Sequence, residues 1–120
     1  DATIVTYGMG VKWAETVLDD HPEWSVELID LRTLVPWDQK MVSESVSKTG
    51  KVLVLHEATI TGGIGGEISA VIHENCWQSL DAPVARTASL DTPVPFASDL
   101  EREFMANCRL EADLEALLNR

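Results

Sequence analysis

The stretch "KVLVLHEATITGGIGGEI" at residues 51–68 decides the fold class of this chain. Its first part, residues 51–57, is a nearly continuous apolar run of strand length, which is typical of a parallel strand covered by helices on both faces. Glycines then interrupt the run, and apolar side chains recur at helical spacing from about residue 66 to 77. The stretch therefore predicts a central strand, a glycine-rich turn and a helix.

Strand-like and helix-like patterns alternate on both sides of this stretch. Strand-like runs cover residues 2–8, 25–31 and 83–89, and helical patterns follow the first two of them. Residues 90–97, "LDTPVPFA", contain two prolines and are expected to form a loop, while leucines at helical spacing predict a final amphipathic helix. Strands alternating with helices over short connections predict an α/β fold with a mostly parallel sheet and helices on both faces.

Composition indicates one soluble globular domain spanning residues 1–120, because 45% of the residues are hydrophobic and 24% are charged. The net charge of −11 disfavours partners such as nucleic acid and anionic membranes and favours basic proteins. No apolar run is long enough to cross a membrane and no signal-peptide pattern opens the chain, so we expect a cytoplasmic location. Since a strand begins almost at Asp1, we expect a domain cut from a longer chain.

The glycine-rich turn resembles an anion-binding site but lacks the residues of the known phosphate loops. Gly63 and Gly65 supply a G-x-G, yet Ile68 stands where the dinucleotide fingerprint needs a third glycine, and no Lys-Ser or Lys-Thr pair follows. Glu67 would place a negative charge at the positive end of the helix and repel a phosphate. We therefore expect the glycines to permit close backbone approach, within the domain or across a subunit boundary: Gly62, Gly63, Gly65 and Gly66.

His56 and Glu57 end the predicted central strand, where catalytic residues of α/β proteins often lie. No nucleophile with a recognisable setting accompanies them, so a structural role for His56 is favoured over catalysis. The three histidines lack the spacing of a metal site, and no catalytic, cofactor-binding or metal-binding residue is predicted. Four tryptophans suit core packing or, at helix ends, subunit contacts: Trp13, Trp24, Trp37 and Trp77.

Several segments, in the same order along nearly the whole chain, resemble one known domain, the C-terminal, transketolase-like domain of the beta chain of thiamine-diphosphate-dependent 2-oxo acid dehydrogenases. These segments are "VELIDLRTLVPWD" (26–38), "KTGKVLVLHEATITGGIGGEI" (48–68), "LDAPVARTASLDTPVP" (80–95) and "FMANCRLEADLEALL" (104–118). The resemblance implies a three-layer sandwich whose mostly parallel, five-stranded sheet includes one antiparallel strand. It also implies that thiamine diphosphate and magnesium belong to the full-length enzyme and not to this domain.

The same resemblance implies three kinds of partner. They are the alpha part of the dehydrogenase, a second copy of the beta chain, and the small basic subunit-binding domain of the dihydrolipoyl acyltransferase. In that family a carboxylate in a Leu-acid-Ala-Pro segment pairs with an arginine of the acyltransferase, and "LDAP" places Asp81 at this position. The alternative is that Asp81 is an ordinary turn residue before Pro83. The ending "LLNR" departs from the hydrophobic terminus of the family, which leaves the role of the tail open.

We therefore expect a non-catalytic assembly and docking domain of a 2-oxo acid dehydrogenase of the branched-chain or pyruvate type. The full-length enzyme would decarboxylate a 2-oxo acid and transfer the acyl group to a lipoyl group, whereas the isolated chain is expected to be inactive. Two alternatives stay open: the C-terminal domain of another thiamine enzyme, such as a transketolase or deoxyxylulose phosphate synthase, or a small domain that binds phosphate ligands at its glycine loop.

Overall fold

Strands and helices alternate along the computed structural model, which describes all residues, 1–120. Four strands and five helices are present, and a one-turn 3-10 helix follows the third helix at Trp77–Ser79. None of the helices combines the length and apolar composition that a membrane crossing requires. In chain order the elements are β1 (Ala2–Thr6), α1 (Met9–Asp20), β2 (Val26–Asp30), α2 (Gln39–Thr49), β3 (Val52–Thr59), α3 (Ile64–Cys76), β4 (Ala85–Ser89), α4 (Ser98–Phe104) and α5 (Asn107–Leu118).

The four strands form one sheet in the order β2-β1-β3-β4, and every pair is parallel. β1 and β3 are central, which confirms the prediction made for β3 from the apolar run at 51–57. Their side chains alternate between the two faces: Leu53 and Leu55 point to one face, and Val52 and Val54 point to the other. The sheet therefore has two buried faces, each of which needs a covering layer of helices.

Each face of the sheet carries one core cluster of 10 buried residues. On one face, β1 and β3 pack against α1 and α5, whose Ala14, Leu110 and Leu114 are fully buried. On the other face they pack against α2 and α3 through side chains that include Val42 and Ile68. This arrangement confirms the predicted three-layer α/β sandwich with helices on both faces.

The sheet differs in one respect from the fold class that we expected, since it has four strands and not five, and none of its pairs is antiparallel. The strands that the sequence pattern itself predicted are the four observed, whereas the fifth strand and its antiparallel direction were taken from the family resemblance. After β4 the chain forms the predicted loop at 90–97, where Pro93 and Pro95 cannot donate the backbone hydrogen bonds that a strand needs.

The starts of two helices are set by local residues. Asp38 is the N-cap residue of α2, and its carboxylate accepts a hydrogen bond from the backbone N–H of Met41 at 2.9 Å. α3 begins at Ile64, directly after the extended residue Gly63, and not at about residue 66.

Candidate functional site

The glycine-rich turn packs tightly around His56, which is fully buried at the end of the β3 apolar run. A Cβ atom on Gly65 would lie 2.3 Å from His56 Nε2, and one on Gly63 would lie 2.5 Å from His56 Cε1. Only glycine at these two positions lets the first turn of α3 approach the imidazole ring. The close approach that the sequence predicted is therefore made within the domain at Gly63 and Gly65.

The other two glycines of the turn have open surroundings. Gly62 has a φ of +76° and a Cβ there would meet nothing within 4 Å, while a Cβ on Gly66 would come no closer than 3.7 Å to Arg86 Nη1. Position 62 therefore favours glycine because of its left-handed backbone conformation, and not because a side chain would lack space. A role for the four glycines in a subunit interface stays a prediction, because these contacts concern a single chain.

His56 is held as a neutral ring. Burial lowers its pKa below the usual 6.5, a hydrogen bond to the Ala58 carbonyl acts in the opposite direction, and the positive charge of Arg86 lowers it further. Nδ1 donates to the Ala58 carbonyl oxygen at 3.1 Å, whereas Nε2 has no hydrogen-bond partner. Glu57, the next residue, is exposed and does not orient the ring. This geometry favours a structural role for His56 and does not assemble a catalytic pair.

The N-terminus of α3 is poorly suited to a phosphate. The His56 ring occupies the space beside Gly63 and Gly65, and Glu67 lies in the first turn, where its carboxylate adds negative charge to the helix end. The chain also contains no group of three or more His, Cys, Asp or Glu side chains arranged to hold a metal ion. The glycine loop is therefore a packing element, and the phosphate-binding alternative has no geometric support.

Asp81 occupies the opposite, amino-terminal edge of the sheet, between the 3-10 turn and β4. Its backbone N–H donates to the Gly50 carbonyl at 2.8 Å. Gly50 is the left-handed C-cap of α2 with a φ of +73°, and a Cβ there would lie only 2.2 Å from Asp81 Oδ2. The absence of a side chain at Gly50 thus leaves the space that the Asp81 carboxylate occupies. None of the ion pairs in the chain involves this carboxylate.

The edge of the sheet around Asp81 carries negative charge and an exposed aromatic ring. The C-terminus of α2 carries partial negative charge, and the exposed Asp81 carboxylate beside it adds to the negative potential there. Lys48 in the last turn of α2 and Lys51, which lines a neighbouring cavity with Asp81, offset part of this potential. Trp77 is 65% exposed, unusually for an aromatic residue of this size. Trp77 and Asp81 line the same shallow cavity of about 330 Å³ with His73, Leu80 and Pro83. We call this surface the Trp77–Asp81 edge.

Asp81, the residue predicted to dock a partner, lies on an exposed surface and belongs to no ion pair. Its docking role stays a prediction. Trp77 was noted only as one of four tryptophans, and its place beside Asp81 was missed because an exposed ring and a buried ring give the same sequence signal. Only three residues separate Trp77 from Asp81, but the predicted helix ended at Trp77, so a surface shared by the two residues was not expected.

Comparisons with known proteins agree with this fold. The family described as "Transketolase, C-terminal domain" matches residues 1–109. The chain is 50% identical over 97 residues to the 2-oxoisovalerate dehydrogenase subunit beta 2, mitochondrial, of Arabidopsis thaliana, covering 79% of this chain and 27% of that protein. It is 41% identical over 110 residues to the 2-oxoisovalerate dehydrogenase subunit beta of Bacillus subtilis, covering 89% of this chain and 34% of that protein.

A solved structure, described as "Split gene transketolase, inactive beta4 tetramer", superposes with a TM-score of 0.75 at 21% identity, over 99% of this chain and 38% of that one. At this identity the likeness concerns the fold alone. The chain spans 27% to 34% of the length of the two relatives above. The extent of the family match, together with the three-layer fold, shows that the chain belongs to the transketolase C-terminal domain family.

Proposed function

We propose that this chain is the C-terminal assembly and docking domain of the beta part of a branched-chain 2-oxo acid dehydrogenase. The observation that supports this proposal best is the identity of 39% to 50% with beta subunits named for 2-oxoisovalerate or 3-methyl-2-oxobutanoate. The full-length enzyme would oxidatively decarboxylate the 2-oxo acid and pass the acyl group to a lipoyl group. These relatives favour the branched-chain substrate over pyruvate and over the transketolase alternative.

Thiamine diphosphate and magnesium would be held by the remainder of the beta part together with the alpha part. The residues of this chain do not fit the cofactor: the His56 ring closes the space at the α3 N-terminus, and Glu67 opposes a diphosphate there. The isolated chain is accordingly proposed to be inactive. We also propose self-association through the glycine turn, where Gly62 and Gly66 leave space for another backbone.

A cytoplasmic location is proposed only for a bacterial source. The Arabidopsis relative and a relative from Dictyostelium discoideum are described as mitochondrial, whereas the Bacillus relative carries no such description. In either compartment the protein would work within a multienzyme complex with the alpha part and the acyltransferase.

Docking of the acyltransferase is proposed at the Trp77–Asp81 edge. An arginine of the basic subunit-binding domain can form a bidentate, charge-assisted pair with Asp81 and stack on the ring of Trp77. The unpaired carboxylate, the negative helix end and the exposed ring are all on one surface, and the net charge of −11 attracts a basic domain at long range.

The test is calorimetric titration of the assembled alpha–beta dehydrogenase with the subunit-binding domain. Replacing Asp81 by Asn should weaken binding about thirtyfold, since it removes a charge-assisted pair of about 2 kcal/mol. The matched control is Asp19→Asn, which removes the same charge from the exposed end of α1 on the other face of the sheet. Raising the salt concentration should weaken wild-type binding more than Asp81→Asn binding. Equal affinity of the two variants would remove Asp81 from the docking surface.

A further inference from the structure

A second cavity, of about 490 Å³, opens at the carboxyl-terminal edge of the sheet, opposite the Trp77–Asp81 edge. Tyr7, which directly follows β1, and Glu57 of β3 form one side of it, and Phe104 at the end of α4 forms the other. The volume falls within the usual range of small-ligand sites.

The sheet order makes this place the topological switch point of the fold. From β1 the chain crosses to β2 on one side of the sheet, whereas from β3 it crosses to β4 on the other side. The two connections that leave the neighbouring carboxyl ends of β1 and β3 therefore diverge. In open α/β sheets, ligands bind in the crevice outside these ends. The cavity therefore lies in the crevice that this strand order produces between the carboxyl ends of β1 and β3.

The walls combine apolar surface with unpaired negative charge. Tyr7, Val94, Phe104 and other apolar groups supply most of the lining, and Glu57 and Glu101 supply carboxylates. Neither carboxylate belongs to any ion pair of the chain, and no cationic side chain lines the cavity. Burial, helped by the charge of Glu57, raises the pKa of Tyr7 above 10.0, so its hydroxyl remains a neutral hydrogen-bond donor and acceptor. The apolar lining suits an aliphatic stem, and the two carboxylates suit a positive charge at the end of that stem.

The surroundings of the cavity indicate that the cation comes from a protein. Val94, at the cavity, is 64% exposed, and its near neighbour Phe96 is fully exposed. Leu100, in α4, is 56% exposed and lines a neighbouring cavity that shares Phe104 with this one. A free amine would leave these apolar side chains in water, whereas a peptide segment would cover them.

We propose that this cavity receives an arginine or lysine side chain of a partner protein, whose flanking apolar residues cover Val94 and Phe96. The aliphatic stem lies against Phe104 while the charged group is placed between Glu57 and Glu101. The site is independent of acyltransferase docking, because Asp81 lies at the other edge of the sheet.

The test uses the ¹⁵N-labelled chain and three short capped peptides, followed by backbone NMR shifts. The peptide Leu-Arg-Leu should shift Tyr7, Glu57 and Phe104, and the otherwise identical Leu-citrulline-Leu, which lacks the charge, should bind about tenfold more weakly. Gly-Arg-Gly, which lacks the apolar flanks, should also bind more weakly than Leu-Arg-Leu. Equal binding of arginine and citrulline peptides, or shifts confined to other surfaces, would overturn the proposal. Equal binding of Gly-Arg-Gly would overturn the assignment to a protein partner.

A double variant, Glu57→Gln with Glu101→Gln, should weaken binding of Leu-Arg-Leu about tenfold, because both carboxylates lose their charge. A single Glu74→Gln control removes a charge from the exposed surface of α3 without touching the cavity, and it should leave the dissociation constant within about twofold of the wild type. An unchanged dissociation constant in the double variant would contradict the proposed role of the carboxylates.

Discussion

The glycine turn at the end of β3 and the Trp77–Asp81 edge differ in how far the chain covers its own side chains. At the turn, Gly63 and Gly65 enclose a buried imidazole, so the space is filled and the charge is removed. At the edge, the exposed Asp81 carboxylate belongs to no ion pair, and the Trp77 indole is 65% exposed. A histidine beside glycines suggests a catalytic site in a sequence, but here these residues pack together in the interior. The turn "LDAP", which has no such signal, contains the exposed Asp81.

The largest effect that this comparison predicts is on the glycine turn. Gly65→Ala places a Cβ 2.3 Å from His56 Nε2, so either the ring or α3 must move, and the free energy of unfolding should fall by about 3 kcal/mol. Urea unfolding monitored by circular dichroism measures this quantity.

Gly66→Ala is the matched control, because its Cβ would lie an ordinary 3.7 Å from Arg86 Nη1. Alanine is the better helix former, so this variant should keep or raise stability by about 0.5 kcal/mol. If both variants are equally stable, the tight packing of the turn on His56 is not what requires glycine.

The second largest effect is expected at Gly50, which lies against the Asp81 carboxylate. Gly50→Ala should destabilise the fold by about 2 kcal/mol, because a left-handed residue gains a side chain that also meets Asp81 Oδ2 at 2.2 Å. Gly62→Ala introduces the left-handed cost alone, with nothing within 4 Å, and should lose only about 1 kcal/mol. Unfolding free energies that do not differ between these variants would show that the Asp81 carboxylate moves aside freely.

At the edge itself, Trp77→Ala should weaken binding of the acyltransferase subunit-binding domain about tenfold, since the arginine loses the ring on which it stacks. Trp77→Phe keeps an aromatic face and should cost about twofold to threefold. Calorimetric titration of the assembled dehydrogenase measures both. An affinity of the alanine variant equal to that of the wild type would confine docking to the Asp81 carboxylate.

Much of the fold could be predicted from local sequence because its signals are local. The apolar run 51–57 indicated a central, doubly covered strand, and the prolines of 90–97 indicated a loop. The count of five strands was wrong because it came from a resemblance and not from any strand pattern in this chain. The α4 helix was missed because its seven residues, "SDLEREF", bury only Phe104 and show no apolar stripe.

The open surfaces were harder to predict because they depend on contacts between distant residues. Gly50 and Asp81 are far apart in sequence, and only the start of β3 and the approach to β4 bring them together. Likewise, the cavity beside Tyr7 is formed when α4 returns over the ends of β1 and β3. Sequence spacing does not indicate which distant residues come into contact. Asp81 was named only through the resemblance to a family, and its docking role stays a prediction.

The last predicted effect contrasts the buried His56 with the half-buried His21. The fold lowers the pKa of His56, mainly by burial, so the stability that the neutral ring contributes is present above the unfolded value of 6.5 and is lost as the pH falls through the folded pKa. Hydrogen bonds to Glu111 and Glu23 raise the pKa of His21, so its contribution has the opposite sign: it is present below 6.5 and is lost as the pH rises through the folded pKa.

Unfolding free energies measured between about pH 7.5 and about pH 5.5 should therefore separate the two rings. His21→Gln should show the His56 effect alone, a loss of stability on acidification of about 1.4 kcal/mol for each pKa unit between the folded and unfolded states. His56→Asn should remove that loss and leave a stability that holds or rises as the pH falls, even though the variant is less stable overall. If His56→Asn loses stability on acidification as steeply as His21→Gln, the imidazole is not kept neutral by the glycine turn, and the contrast between the filled turn and the open edge fails at its central residue.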